Sequence, residues 1–221
     1  MPQVQHSRGR YHHGDLANAL AGAAIELARQ GGPEAIVLRE AARQVGVSAT
    51  AAYRHFASHG DLMLAVKEHC QTTLVRHMEI EAAASEPTSD RGEAAIRRLR
   101  ALGRGYIRFA LAEPGFFRTA FCHSELPEPD GPGPVPGMLE SPAFAMLTEV
   151  LDELTRLGLL PAQQRPYTEM VAWSSAHGLA NLLVDGPLRV LPEEQREAVI
   201  TRTLDATIAG ICTGLSTGPV G

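Results

Sequence analysis

Residues 38–56 read Leu38-Arg-Glu-Ala-Ala-Arg-Gln-Val-Gly-Val-Ser-Ala-Thr-Ala-Ala-Tyr-Arg-His-Phe56. The stretch predicts two short helices, over about Leu38 to Val45 and Ser48 to Phe56, joined by a tight turn. Gly46 falls where that turn needs a permissive backbone, Val47 plugs the corner, and Ser48 is a good N-cap for the second helix. Ala41, Ala42, Val45, Val47, Ala51 and Ala52 are small enough for the two helices to cross closely, which a helix-turn-helix requires. In such a unit the second helix enters the major groove with its N-terminal residues nearest the base edges. Its outward positions are Ser48, Ala49, Thr50, Tyr53 and Arg54. The hydroxyls of Ser48 and Thr50 suit phosphate or base edges, and Arg54 suits phosphate or guanine. The competing reading is a helix pair inside an ordinary bundle, with Tyr53 as a core aromatic; Phe56 is core under both.

Outward from this segment the chain reads as helical throughout. Ala, Leu, Arg and Glu dominate and period-2 alternation is nearly absent, so the expected fold class is all-α. Leu16, Leu20, Ala23, Ala24 and Leu27 place a first helix over about Asp15 to Gln30, stopped by Gly31-Gly32-Pro33. Ser58-His59-Gly60-Asp61 resembles a capping box and opens a fourth helix long enough to leave the head. Beyond a polar loop at 84–92, helices are expected at about 93–112, 114–123, 141–158, 164–184 and 193–214, with prolines at the junctions. The run from Pro127 to Gly137 contains too many prolines and glycines for a helix. The expected organisation is a helix-turn-helix domain over 1–60, a helical effector-binding and dimerisation domain over 61–215, and a tail over 216–221.

The net charge of the 221 residues is -5, but it is unevenly spread. Residues 1–60 hold six arginines against Asp15, Glu26, Glu34 and Glu40, a balance of +2, together with His6, His12, His13, His55 and His59; the remainder carries -7. A basic head on an acidic body fits a phosphate-binding module fused to a domain with other business. Every apolar run is interrupted before the roughly 18 residues a membrane span needs, and the first 15 residues lack a signal-peptide core. A soluble, cytoplasmic protein is expected. Cys70, Cys122 and Cys212 are too widely spaced for a disulfide framework or a zinc site, so no metal or other cofactor is expected.

The segment 12–65 resembles the TetR family of regulators. The resemblance rests on Arg39-Glu40-Ala41-Ala42, Gly46-Val47-Ser48, Tyr53-Arg54-His55-Phe56, and Ser58 followed by Asp61-Leu62; the leading Tyr11-His12-His13-Gly14-Asp15-Leu16 is similar to the entry of many members. It implies a homodimer whose recognition helices enter successive major grooves of a partly palindromic double-stranded DNA operator, with a C-terminal domain whose ligand-induced shift spoils that spacing. By position, Ser48, Ala49 and Thr50 would face bases, Tyr53 and His55 would contact phosphates, and Arg39 would approach from the preceding helix. Arg8, Arg10 and Tyr11 would form an arm beside the duplex. The chain departs from the family pattern at three positions. Val37 stands where a capping Thr is usual, Ala52 replaces a common Leu, and His59 replaces a frequent Lys, leaving a phosphate contact absent or dependent on protonation.

Trp173-Ser-Ser-Ala-His177-Gly178 resembles a Trp…His-Gly signature of one TetR subgroup. Trp173 and His177 share a helix face at i,i+4, and two readings stand: His177 as a satisfied core histidine, or the pair lining or bordering an effector pocket. Phe117 and Phe121, with Phe109, either fill the core or line an apolar pocket suited to an apolar or aromatic effector. The dimer is expected on the last helix, along Ile200, Leu204, Ile208 and Ile211. An enzyme is the rival class, but no phosphate loop, Gly-x-Ser-x-Gly or His-Glu-x-x-His motif occurs. A helical ligand-binding protein without operator binding is a second rival, and activation cannot be told from repression.

Overall fold

The computed structural model describes residues 13–122 and 141–213. The Arg8, Arg10 and Tyr11 arm, His123, the Pro127–Gly137 run and the tail after Leu215 lie outside them. The described residues form α1 (His13–Gly31), α2 (Leu38–Val45), α3 (Ala49–Ala52), α4 (His59–Ala83), α5 (Arg91–Ala112), α6 (Pro114–Phe121), α7 (Pro142–Arg156), α8 (Thr168–Val184) and α9 (Glu193–Thr213). Short 3-10 turns occupy Pro33–Ala35, Ala162–Gln164 and Pro187–Val190. The fold is all-α, as expected.

The head is built on α1, which buries Leu20, Ala24 and Ala28 along one face against α2 and α4. Its chain reverses at Gly32, whose φ of 73° lies in the left-handed region. Val37 enters α2 from an extended backbone and supplies no side-chain cap, so one end of this helix leaves backbone N–H groups without a side-chain partner. The other end is closed: Gly46 adopts φ 79°, its N–H donates to the Arg43 carbonyl at 3.2 Å, and the Val47 N–H donates to Ala42 at 2.9 Å. This paired closure is the Schellman arrangement that favours glycine. Buried Ala41, Ala42 and Ala52 let α2 and α3 meet.

The second helix is shorter than its sequence predicts. Regular α-helix ends at Ala52, and Tyr53 to His55 continue as turns, held by His55 N–H to Ala52 O at 2.9 Å and Phe56 N–H to the same carbonyl at 3.1 Å. The next cap explains the limit, because Ser58 must be extended to open α4. Its Oγ accepts from the Asp61 N–H at 3.1 Å, while the Asp61 carboxylate accepts from the Ser58 N–H at 2.9 Å. The capping box is therefore complete. From there α4 runs 25 residues without interruption, burying Leu62 and Val66, then Cys70, Leu74 and Met78 further along.

In the body α5 is the central helix, packed against α4, α6, α7, α8 and α9. Asp90 caps it by accepting from the Glu93 N–H at 3.0 Å. The last helix buries Ile200, Leu204, Ile208 and Ile211 against α5 and α8 of its own chain. This corrects the expected dimer surface: the apolar strip of α9 is spent inside the subunit, with Ile208 only 6% exposed. The opposite face of α9 carries exposed Ala206, Ala209 and Gly210.

Candidate nucleic-acid interface and the cavity behind it

On the head, Ser48 spends its Oγ as the cap of α3, accepting from the Ala51 N–H at 3.2 Å, and remains exposed. Thr50 and Arg54 are exposed, Tyr53 is 48% exposed, and Ala49 and His55 are half-buried. Tyr53 therefore stands on the surface rather than in the core. Arg39 projects from the second position of α2 and is exposed; neither it nor Arg54 joins an ion pair among the described residues. Their neighbour Arg43 is committed to Glu40 through Nη2–Oε1 at 2.6 Å, which holds the Glu40 carboxyl below its usual range.

His59 has a structural partner that its sequence position did not reveal. Its Nε2 donates to the Ile36 carbonyl at 2.9 Å, which fixes the proton on that nitrogen because a carbonyl only accepts. The bond ties the first turn of α4 to the residue just before the α2 entry. Leu38, Val37, Arg39, Tyr53 and His59 together line a surface groove beside the helix-turn-helix.

The body holds a cavity among α4, α5, α6, α7, α8 and α9, with some 740 Å³ of space unoccupied by protein atoms, its opening to solvent included. Gln71 and Leu74 contribute from α4, Leu102 and Tyr106 from α5, Phe121 from α6, Leu147 from α7, Trp173 from α8 and Ile208 from α9. Of the five residues proposed from sequence for an effector pocket, Phe121 and Trp173 line it. Phe109, Phe117 and His177 do not. Phe109 is fully buried against His77, with ring centroids 5.9 Å apart, and Phe117 is buried against Tyr106 and Phe121.

His177 stacks on Trp173 with ring centroids 5.0 Å apart and 30° between planes. Tyr106 Oη is hydrogen-bonded to His177 Nδ1 at 2.7 Å and accepts from Trp173 Nε1 at 3.3 Å. Burial pulls the His177 pKa below its ordinary value and pushes the Tyr106 phenol well above its own. Both groups are neutral at pH 7. His177 thus has a partner at Nδ1 and borders the cavity wall through Trp173 and Tyr106. Tyr106, the hub of this cluster, was missed from sequence, and so was Gln71, a polar residue set at i,i+3,i+7 spacing with Leu74 and Met78 on an apolar face.

Head and cavity are joined through α6. Pro114 starts it, and Gly115 brings it so close to the end of α1 that an added Cβ would lie 2.3 Å from the Ala28 and Arg29 carbonyl oxygens. Glu113 pairs with Arg29 at 3.1 Å, Lys67 of α4 donates to the Cys122 carbonyl at 2.9 Å, and Arg118 pairs with Asp185 beyond α8. Cys70, beside this junction, is buried, and burial pushes its thiol up to about 12. Among the described residues no group of three or more His, Cys, Asp or Glu could hold a metal ion, and no helix is long and apolar enough to cross a membrane.

The fold and these two sites define a helical protein with a helix-turn-helix head and a mainly apolar cavity in its body. Residues 20–66 match the family described as bacterial regulatory proteins, tetR family, and residues 99–207 match the tetracyclin repressor-like C-terminal domain. The two matches span well over half of the chain, and the chain belongs to the TetR family. Solved structures share the fold. A protein of unknown function from Rhodococcus sp. RHA1 is 24% identical over 93% of this chain and 100% of its own, with a TM-score of 0.70. A TetR variant from Acinetobacter baumannii AYE in complex with minocycline is 19% identical over 91% and 96%, with a TM-score of 0.58. The TetR family transcriptional regulator PfmR from Thermus thermophilus is 21% identical over 84% and 97%, with a TM-score of 0.52. No curated protein sequence matches the chain.

Proposed function

We propose that the protein is a ligand-responsive transcriptional regulator that binds a palindromic operator as a homodimer and represses from it. The observation that carries this reading is the head: a glycine-closed α2, a serine-capped α3, and an outward row of Ser48, Thr50, Tyr53 and Arg54 with Arg39 beside it. In this reading Ser48, Ala49 and Thr50 face bases, and Arg39, Tyr53, Arg54 and His55 meet phosphates or guanine. His59 acts less as a direct phosphate ligand than through its bond to Ile36, which sets the angle of α2.

The dimer is placed on the outer faces of α8 and α9. Val171, Ser174, Gly178 and Leu182 on one helix, and Ala206, Ala209 and Gly210 on the other, are exposed. Small residues allow close helix approach, and the two helices pack side by side, so their outer faces form one surface. The Trp173…His177-Gly178 pattern supports placement in the subgroup with that signature, and the solvent-facing Gly178 is its contribution to this surface. The effector site is the cavity between Gln71 and Trp173. Domain limits near residues 60 and 215 follow, with the start of α4 as the seam, and the protein works in the cytoplasm without catalysing a reaction.

The test is selection of genomic fragments by the purified protein, followed by sequencing and a salt titration. Enrichment of a short palindrome with affinity that falls steeply with salt is expected, because phosphate neutralisation releases counterions. A selection that enriches nothing at any salt concentration would sink the operator-binding reading.

A further inference from the structure

We propose that the cavity of the body takes an uncharged, largely apolar small molecule that donates one hydrogen bond to Gln71 Oε1. This rests on the ligand-responsive reading above and gives its ligand a chemical class. Three observations carry it. The first is the wall, which contains no Asp, Glu, Lys, Arg or His among the described residues. An ion entering it would lose its hydration and gain no counter-charge, a cost that selects neutral ligands. Leu102, Phe121, Phe144, Trp173 and Ile208 leave mainly aliphatic and aromatic surface for contact.

The second observation is that each of the other polar residues in the wall already has at least one partner. Tyr106 Oη is bonded to His177 Nδ1 and accepts from Trp173 Nε1, which uses the single N–H of the indole. Ser141 Oγ accepts from the Phe144 N–H at 3.3 Å. The Thr207 hydroxyl is bonded to the Thr203 carbonyl at 2.9 Å and to Ser175 Oγ at 3.0 Å.

The third is Gln71 itself. Its Oε1 is buried and has no hydrogen-bond partner, the one such side-chain atom among the described residues. Buried polar groups are nearly always paired, and an exception calls for a reason. Gln71 lines the cavity, and a turn of its side-chain amide brings the unpaired carbonyl to the cavity surface, where a ligand can supply the missing donor. A hydroxyl meets the need best, since it can donate to the carbonyl and would also accept from the amide if the group turned over.

Trp173 is the sole tryptophan of the chain and stands in the wall, so its emission reports occupancy. The full chain, free of DNA, is titrated with 1-decanol, 1-methoxydecane, decanoate and decylammonium, each below its micelle concentration. Saturable change with decanol is expected, with the ether roughly tenfold weaker for want of a donor and both ions weaker still. Gln71→Met, of similar length and without the polar atoms, should leave ether binding in place and erase the gap between alcohol and ether, with circular dichroism confirming the fold. Equal binding of either ion, no saturable binding of decanol, or a gap that persists in Gln71→Met would each overturn the proposal. Operator binding by the unliganded protein is measured separately. A failed titration with operator binding intact overturns the ligand class alone, whereas a failed operator selection leaves the titration standing and removes the regulatory role.

Discussion

The guanidinium of Arg118 holds both carboxylate oxygens of Asp185, with Nε 2.9 Å from Oδ2 and Nη2 2.6 Å from Oδ1. The pair fastens α6, which touches the head, to the end of α8, which walls the cavity. Both side chains are nearly half-exposed, so solvent screening keeps the contribution to stability small, at about 0–1 kcal/mol. Its geometry matters more than its energy. Arg118→Ala should leave the melting temperature and unliganded operator affinity nearly unchanged while weakening effector-driven release. Comparing operator titrations with and without saturating effector decides the matter, and an undiminished response would remove α6 from the coupling path.

Tyr53 is exposed at the end of α3. Tyr53→Ala is expected to weaken operator binding about tenfold, the loss of one hydrogen bond to a charged phosphate. The dimer should persist in light scattering, because the residue lies far along the chain from α8 and α9. Unchanged affinity would mean that this end of α3 does not face the duplex.

Val37 opens α2 in the extended conformation a capping residue needs, but has no oxygen to offer. Val37→Thr should supply the missing acceptor for about 1 kcal/mol. In a chain of this size that corresponds to a rise of roughly 2–4 °C in melting temperature. A calorimetric scan showing no rise would imply that the helix entry is already satisfied in another way.

The two faces of α9 can be told apart by charge. Ile208→Glu places a carboxylate in the subunit core and should lower stability severely rather than yield folded monomers. Ala209→Glu, on the outer face, should yield folded monomers with an unchanged far-ultraviolet spectrum. Sedimentation of both variants separates the cases, and a dimeric Ala209→Glu protein would move the interface off this helix.

His177 makes stability depend on pH in a stated direction. Burial depresses its folded pKa below the ordinary 6.5, so as pH falls below about 6.5 the unfolded chain takes up a proton that the folded chain refuses. Stability then declines with falling pH. His77, depressed by burial and by the nearby Arg76 charge, acts in the same sense. Urea unfolding between pH 7.5 and 5 should show this slope, reduced but not abolished in His177→Gln. An unchanged slope in the variant would place the titration elsewhere.

The head was legible because its signals are local. Gly46, Ser48 and the Ser58–Asp61 box each act on backbone within four residues, and every one is found where its chemistry demands. Where two local signals competed, the sequence reading overran: the demand of Ser58 for extended backbone cut α3 short of Phe56. The cavity was legible only in part, because six helices distant in sequence enclose it. Phe109 and Phe121 are equally apolar, and which one faces a gap depends on where α8 and α9 come to rest. The same limit produced the error on α9. An apolar strip serves a subunit core as well as an interface, and the fainter row of Ala206, Ala209 and Gly210 was the better indication of an outer face.

The unbroken course of α4 from Ser58 past Met78 has a consequence of leverage. At about 1.5 Å per residue, Gln71 lies roughly 18 Å along the axis from His59. A tilt of about 5° about the Gln71 end therefore displaces the His59 end by roughly 1.6 Å. Because His59 is pinned to the Ile36 carbonyl, that displacement is delivered to the mouth of α2 rather than absorbed in a loop. Under the proposed function, a side-chain adjustment in the cavity wall would become, at the far end of one stiff shaft, a change in pitch of the whole reading head.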